Sequence, residues 1–267
     1  MTNADVLFDS DFVHTTAVRA DDATPNRLHA DYDPGWLSLS GVHGGYQTAV
    51  AVRAAHAVEA ERTVRTVSAS FLRRAQPGAV VLDVEVLRRT RTFTSTSIVA
   101  TQNGRPVMAA RTTAIVLVSG HDWTTPPLDQ PAPFSDAVEF TPPPQIPHFH
   151  QAQVRLDSAT IPTSDAPDAR IAGYIRPRSG HHVDAAWLAM AGDWFPPSPF
   201  RRVPLPIGGV SVDYTVHVHH AVVLDNDQWL SAVFHTPNST TGLALEHGVL
   251  AVGDDVVAET FHTRWTG

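Results

Sequence analysis

The sequence predicts an α+β protein built from two similar units, each with a helix packed against an antiparallel β-sheet. Turn-bounded β-type runs recur in both halves of the 267-residue chain, and a helical segment precedes them in each half. A proline-rich stretch, TTPPLDQPAPF followed by EFTPPPQIP, separates the halves. Because proline cannot donate to a helix or a ladder, this pattern predicts a linker at 119–147 between domains at 1–118 and 148–267.

The first unit opens with VHTTAVRA, which we expect to be extended. The next segment, VHGGYQTAVAVRAAHAVEA, has few helix breakers after Gly45 and predicts a long helix packed against the sheet. Three β-type runs follow, with QNGRP as a turn between the second and the third: TVRTVSASFLRR, VVLDVEVLRRTRTFTSTSIVATQN and VMAARTTAIVLV.

The second unit repeats this order. ARIAGYIRP reads as a strand, and HHVDAAWLAMAGDWF as a shorter helical segment that ends at Pro196 and Pro197. The β-type runs GVSVDYTVHVHH, QWLSAVFHT, GLALEHGVLAV and VVAETFHTRW complete it. A strand, a helix and then antiparallel strands is the order of a hotdog unit, so we predict a double hotdog: two fused units, each a long helix wrapped by a sheet. The strand with Phe71 should be equivalent to the strand with Val216.

Composition removes several classes of function. The chain has no cysteine, which excludes disulfides, thiolate zinc sites and cysteine nucleophiles. A formal net charge of −8 argues against nucleic-acid binding, and no apolar run is long enough to span a membrane. The acidic N-terminus MTNADVLFDSDF does not fit an export signal, so we expect a cytoplasmic protein. Without a GxSxG or GxGxxG motif, we expect neither a serine hydrolase nor a cofactor.

Several short motifs in one order resemble the TesB-like family, acyl-CoA thioesterase II, from about Trp36 to Trp265. They are VHGG, FLRR with QPG, VEVLRRTRTF, QNGRPV, LAMAGDWFPP and SVDYTVHVHH. The resemblance implies hydrolysis of an acyl-CoA thioester by a water that polar side chains hold. The family's water-holding Asp, Thr and Gln fall on Asp193, Ser211 and His262, so two of the three residue types differ.

The two replacements keep polar groups at the site. Serine retains the hydroxyl of threonine, whereas the imidazole of His262 could either position a water or act as a base. Gly44 and Gly45 stand at the predicted helix start, where free backbone N–H groups favour negative charge. We therefore predict Asp193, Ser211 and His262 as catalytic residues and the two glycines as oxyanion or substrate contacts.

Each assignment has a structural alternative. Asp193 could cap its helix, and Gly44 and Gly45 could serve only close helix–sheet contact. His43 could donate at the helix start or pack, and we leave it outside the catalytic set.

Ser211 follows Gly208 and Gly209, where a hydroxyl often stabilises a turn. His262 lies on an alternating strand, where a solvent-facing histidine would be ordinary.

The histidines of VHVHH raise the question of a metal site. His217 and His219 have a spacing that can ligate zinc, but no cysteine or HExxH accompanies them, and we predict no metal site.

A non-hydrolytic protein that binds acyl-CoA or acyl-carrier protein could use the same scaffold. A hotdog hydratase would need a paired Asp and His on one helix–loop segment, which the sequence lacks. Since fused hotdogs still expose sheet edges, we expect a homo-oligomer.

Overall fold

The described residues of the N-terminal half form two helices and eight strands. The computed structural model describes residues 10–117, 120–121, 123–141, 143–162, 165–203 and 210–267. The predicted turn at Gly208 and Gly209 lies outside them. The elements of this half are α1 (Ser10–Thr15), β1 (Arg19–Ala20), β2 (Arg27–Tyr32), β3 (Leu37–Ser38), β4 (Gly41–Val42), α2 (Gly44–Val58), β5 (Thr63–Phe71), β6 (Gly78–Arg89), β7 (Phe93–Gln102) and β8 (Arg105–Ile115).

The C-terminal half contains one short helix and nine strands among its described residues. They are β9 (Val138–Glu139), β10 (Ala152–Leu156), β11 (Arg170–Pro177), β12 (His182–Val183), α3 (Ala185–Ala191), β13 (Val210–Val218), β14 (Val222–Val223), β15 (Leu230–Thr240), β16 (Leu243–Val252) and β17 (Asp255–Trp265). Single-turn 3₁₀ helices lie at Pro34–Trp36, Phe134–Asp136, Pro147–His150, Ser158–Thr160 and Ser198–Arg201.

Thirteen of the described strands form one antiparallel sheet that runs through both halves. Its order is β1-β2-β6-β7-β8-β5-β13-β17-β16-β15-β11-β10-β9. The order outward from β5 is mirrored by the order outward from β13, which gives the two halves equivalent positions. The strand with Phe71 and the strand with Val216 are therefore counterparts, as predicted, and they meet at the centre of the sheet. This arrangement is a double hotdog.

The helix α2 is enclosed by the sheet and by α3. It packs against β5, β6, β7 and β8 on one side and against α3 on the other. Its sequence, GGYQTAVAVRAAHAV, is apolar on most sides, as expected for a helix that is buried over most of its length. The His43 side chain accepts from the Tyr46 N–H and caps its start.

The helix of the second unit, α3, is shorter than the long helix predicted for a hotdog unit. α3 covers only seven residues, and it ends before the predicted stop at Pro196 and Pro197. The Asp184 side chain accepts from the Trp187 N–H at its start, and Gly192 forms its C-cap. A side chain at Gly192 would collide with the Tyr214 hydroxyl, so glycine allows the end of α3 to lie this close to β13.

Three local predictions are wrong. VHTTAVRA is not fully extended, because its first residues belong to α1. The long run from VVLDVEV to ATQN is two strands, β6 and β7, joined by a turn at 90–92. The proline-rich segment does form ladder bonds, since Val138 and Glu139 pair with Leu156 and Arg155 on β10. The domain boundaries themselves stay a prediction.

Within the described residues, no helix is both long and apolar enough to cross a membrane.

The junction between β5 and β13 should be a main source of stability. Val216 lies opposite Val67 in this pairing, and both side chains are fully buried. We expect Val216→Ala to lower the free energy of unfolding by about 2 kcal/mol, because it leaves a cavity between the halves. Urea denaturation measures this change. Val212→Ala, on the same strand but 41% exposed, is the control and should change stability by less than about 0.5 kcal/mol.

Candidate active site

A buried carboxylate, Asp193, lies where the start of α2 meets the end of α3. Its Oδ2 atom accepts a hydrogen bond from the Gly45 N–H at 2.8 Å. The His43 Nε2 atom lies 2.9 Å from the Asp193 carbonyl oxygen and 3.3 Å from Oδ2. Asp193 therefore connects the C-terminal half to the first turn of the N-terminal half's helix.

The other carboxylate oxygen faces β17. The Arg264 guanidinium donates to Asp193 Oδ1 at 3.1 Å, and the His262 Nδ1 atom lies 3.3 Å from the same oxygen. Both residues alternate inward on β17, and their side chains are 4% and 1% exposed. The alternative of a solvent-facing His262 is therefore wrong, because the sheet turns this face of β17 toward the helices.

Gly44 and Gly45 permit the close approach of the α2 backbone to Asp193. A Cβ atom on Gly45 would lie 2.8 Å from the Asp193 Cβ and 2.8 Å from the Met190 carbonyl oxygen. On Gly44 it would lie 2.9 Å from the Phe71 ring and 3.0 Å from Asp193 Oδ2. Gly44 and Gly45 thus allow a backbone N–H to reach the carboxylate, a contact that a larger residue at either position would obstruct.

Ser211 lies at the edge of this cluster, on β13. It lies opposite Arg264 in the pairing of β13 with β17, beside a bulge at Val212. Its side chain is half-buried and makes no hydrogen bond to any residue that the structure describes. The structure therefore brings Asp193, His262, Gly44 and Gly45 together, with Ser211 at the margin.

Electrostatics fix the charge of each group. Burial by itself would raise the pKa of Asp193, but His262, His43, Arg264 and the Gly45 N–H outweigh it and hold this pKa well below its usual range. Burial, assisted by the Arg264 cation, lowers the pKa of His262 to about 3, although Asp193 opposes the shift. At neutral pH the site therefore contains a carboxylate and an uncharged imidazole.

Neighbouring aromatic side chains enclose the cluster. The Tyr214 ring packs on His262 with centroids 4.7 Å apart, and its hydroxyl donates to the Ala189 carbonyl at 2.9 Å. The His148 ring stacks on His43 at 4.5 Å. Burial is the main cause that lowers the pKa of His148 well below its ordinary value. Both ring nitrogens of His262 lack a hydrogen-bond partner among the described residues, so its imidazole keeps unused hydrogen-bonding capacity inside the cluster.

Sequence reasoning missed Arg264 and Glu246. Arg264 donates through Nε to Glu246 Oε1 at 2.8 Å, and Glu246 also accepts from the Ser198 N–H at 2.6 Å. The available signal was the alternation in ETFHTRW and LALEHGVL, which puts a charged residue on the same face as buried ones. A charge on the inner face of a strand marks either a paired group or a site.

No metal cluster is apparent in the part of the chain that the structure describes, where three His, Asp or Glu side chains nowhere converge as a metal would require. His219 instead contacts Glu259 at 3.2 Å, and His217 lies 3.4 Å from the Thr66 hydroxyl.

The fold and the buried cluster between its halves define a double-hotdog protein. A family model described as the acyl-CoA thioesterase N-terminal domain matches residues 32–116, and one described as the C-terminal domain matches residues 125–264. The chain belongs to the acyl-CoA thioesterase family. A search of curated proteins returned no match.

Solved structures agree on the fold. A hot dog protein of Alicyclobacillus acidocaldarius superposes with a TM-score of 0.84 at 20% identity, covering 96% of this chain and 98% of its own. The tesB protein of Mycobacterium avium subspecies paratuberculosis gives 0.75 at 22% identity, with 97% and 100% covered. An acyl-CoA thioesterase II of Mycobacterium marinum gives 0.70 at 17% identity, with 96% and 97% covered.

Acid should destabilise the protein partly through His262. Between about pH 6.5 and pH 3 the unfolded chain binds a proton at this residue and the folded chain does not, so stability falls as pH falls. One such group contributes at most about 1.4 kcal/mol per pH unit. We expect His262→Gln to flatten the decline in unfolding free energy between about pH 7 and pH 5. Urea titrations at each pH measure the unfolding free energy. His235→Gln is the control, because His235 is an exposed histidine of β15. Equal slopes in all three proteins would contradict the assignment.

Proposed function

We propose that this protein hydrolyses acyl-CoA thioesters to a free acid and CoA by direct attack of a held water. The observation that carries the proposal is the buried pairing of Asp193 with the Gly45 N–H, with His262 beside it, at the positions where the family's water-holding residues fall. A thioester carbonyl is electrophilic enough for a positioned water to attack it without a covalent intermediate.

The neutral His262 imidazole supports a positioning role for this residue. With a pKa of about 3 it is a weak base at neutral pH, so it is better suited to hold the water than to remove its proton. Asp193 stays ionised and accepts hydrogen bonds, which orients the water and stabilises the positive charge that develops on it. As the C–S bond breaks, the proton lost by the water passes to the leaving thiolate.

The start of α2 supplies the opposing charge. The Gly45 N–H is occupied by Asp193, whereas the Gly44 N–H donates to no described residue. We therefore assign the developing oxyanion to the helix start at Gly44, with Gly45 fixing the carboxylate beside it. Ser211, at the edge of the cluster, contributes a hydroxyl toward the substrate.

The pairing of Asp193 with Arg264 favours a second candidate, a protein that binds acyl-CoA or acyl-carrier protein without hydrolysis. A carboxylate whose proton affinity is lowered this strongly is a poor base. Purified protein that binds an acyl-CoA but does not release CoA across several chain lengths would select this alternative.

We also infer a homo-oligomer. Apolar side chains are exposed on the outer face of β16 and β17, among them Leu245 at 53%, Phe261 at 41% and Trp265 at 44%. Contiguous exposed apolar surface of this kind favours association. Light scattering at micromolar concentration should give a mass above that of one chain, and Leu245→Asp should lower it. A monomeric wild-type protein would rule the inference out.

The central test is Asp193→Asn. The amide keeps an acceptor for the Gly45 N–H but loses the negative charge, so we expect the fold and acyl-CoA binding to persist while kcat falls by about 10²-fold or more. Steady-state release of CoA measures the change. Ser211→Ala should cost less, because its hydroxyl lies at the margin of the cluster.

Asp83→Asn is the matched control. Asp83 pairs with Arg27 on the surface, so its substitution should leave turnover unchanged. Full activity in Asp193→Asn with several acyl chain lengths would show that the site lies elsewhere, even though the fold is the one described.

A further inference from the structure

Arg264 and Glu246 form a buried ion pair for which neither the fold nor the proposed water attack accounts. Their side chains are 4% and 2% exposed, and the guanidinium lies 2.7 Å from Glu246 Oε1. They project from neighbouring strands, β17 and β16, onto the inner face of the sheet. The Ser198 N–H holds the second oxygen of Glu246, so the pair is fixed from outside the cluster as well.

A gain in folding stability does not explain why this ion pair is buried here. Removing two charges from water costs free energy that their attraction only partly restores, and well-packed apolar residues are often at least as stable. The distinguishing feature of this pair is its third contact, from the Arg264 terminal nitrogen to Asp193 Oδ1 at 3.1 Å. The same guanidinium therefore joins Glu246 to the carboxylate of the proposed site.

We propose that Arg264, oriented by Glu246, is a positioning residue that holds the Asp193 carboxylate toward the Gly45 N–H and sets the pH range in which the site works. This inference rests on the proposed function. Arg264 presents a fixed planar fork that can serve two carboxylates at once, which the point charge of lysine cannot match. Glu246 has no contact with Asp193 in the structure and acts through Arg264.

Several titratable or charged groups face Asp193 and Arg264 from the elements packed around them. Arg264 disfavours a positive charge on His262 and favours a negative charge on Asp193. Loss of Arg264 therefore makes both residues easier to protonate. Loss of Glu246 frees the positive charge of Arg264 and makes both harder to protonate. The titratable or charged groups around Asp193 and Arg264, with these two included, are His43 at the start of α2, His148 on the 3₁₀ helix at Pro147–His150, Asp193 after α3, Tyr214 on β13, Glu246 on β16, and His262 and Arg264 on β17.

The experiment compares Arg264→Met with Glu246→Gln, which break the same ion pair from opposite sides. We expect the ratio of kcat/KM at about pH 5 to that at about pH 8 to fall by up to about tenfold in Arg264→Met, because a charge this close shifts a pKa by about 1–3 units and the His262 pKa starts from about 3. In Glu246→Gln the ratio should stay the same or rise. A purely structural pair would lower the melting temperature of both variants and leave the shape of both pH profiles as in the wild type, which would overturn the proposal.

Two further variants keep the test decisive. Arg264→Lys retains the charge without the fork, so it should keep the wild-type pH profile while lowering kcat. If Arg264→Met alone does not fold, the Arg264→Met/Glu246→Gln double variant leaves no unpaired carboxylate at position 246 and should still shift the acid limb upward. A double variant with the wild-type profile would count against the proposal.

A readout without substrate separates this inference from the proposed function. Urea unfolding between about pH 7 and pH 4 reports the coupling directly, since Arg264→Met brings the folded pKa values of Asp193 and His262 nearer to their unfolded ones. Its decline in stability with acid should therefore be flatter than that of the wild type, and that of Glu246→Gln should not. A flatter decline of stability with acid in Arg264→Met, in a protein without thioester turnover, would refute the proposed function and support the coupling. Thioester turnover together with equal declines in the wild type and both variants would support the proposed function and refute the coupling.

Discussion

The hydrogen bond from the Gly45 N–H to Asp193 joins the two halves of the protein at one point. It requires α2 to begin against the end of α3, and it requires glycine at 44 and 45 so that backbone can reach the carboxylate. The long central sheet makes this possible, because the pairing of β5 with β13 sets the two helices side by side. Without that contact the Gly45 N–H would be buried without a partner and the carboxylate would lose one of its donors, which is costly for both.

The same contact explains the charges of the site. A buried carboxylate is stable only when donors or cations surround it, and here a backbone N–H, an arginine and two imidazoles do so. Burial, assisted by the arginine, in turn keeps the neighbouring imidazole neutral. Asp193, His262 and Arg264 therefore act electrostatically as one unit, in which a change to one member alters the proton affinity of the others.

The site draws on both halves, which fits a duplicated fold whose copies have diverged. Equivalent strands, β5 and β13, lie next to each other at the centre of the sheet. The helices they accompany differ greatly: α2 has fifteen residues and α3 has seven. The shorter helix leaves room after its C-cap for Asp193, and the longer one presents its start to that carboxylate. The difference in helix length between two similar units thus brings different side chains and backbone groups to one junction.

The sequence by itself predicted the duplication, the double-hotdog class and a site that includes Asp193, Gly44 and Gly45, because turn residues, period-two alternation and short motifs are local signals. It did not determine that His262 is buried, that Ser211 lies at the margin, or that α3 ends at Gly192. Those features depend on which face of β17 meets the helices and on contacts between residues far apart in the chain. The link from Glu246 through Arg264 to Asp193 is of the same kind, since it joins three separate segments that only the closed sheet brings together.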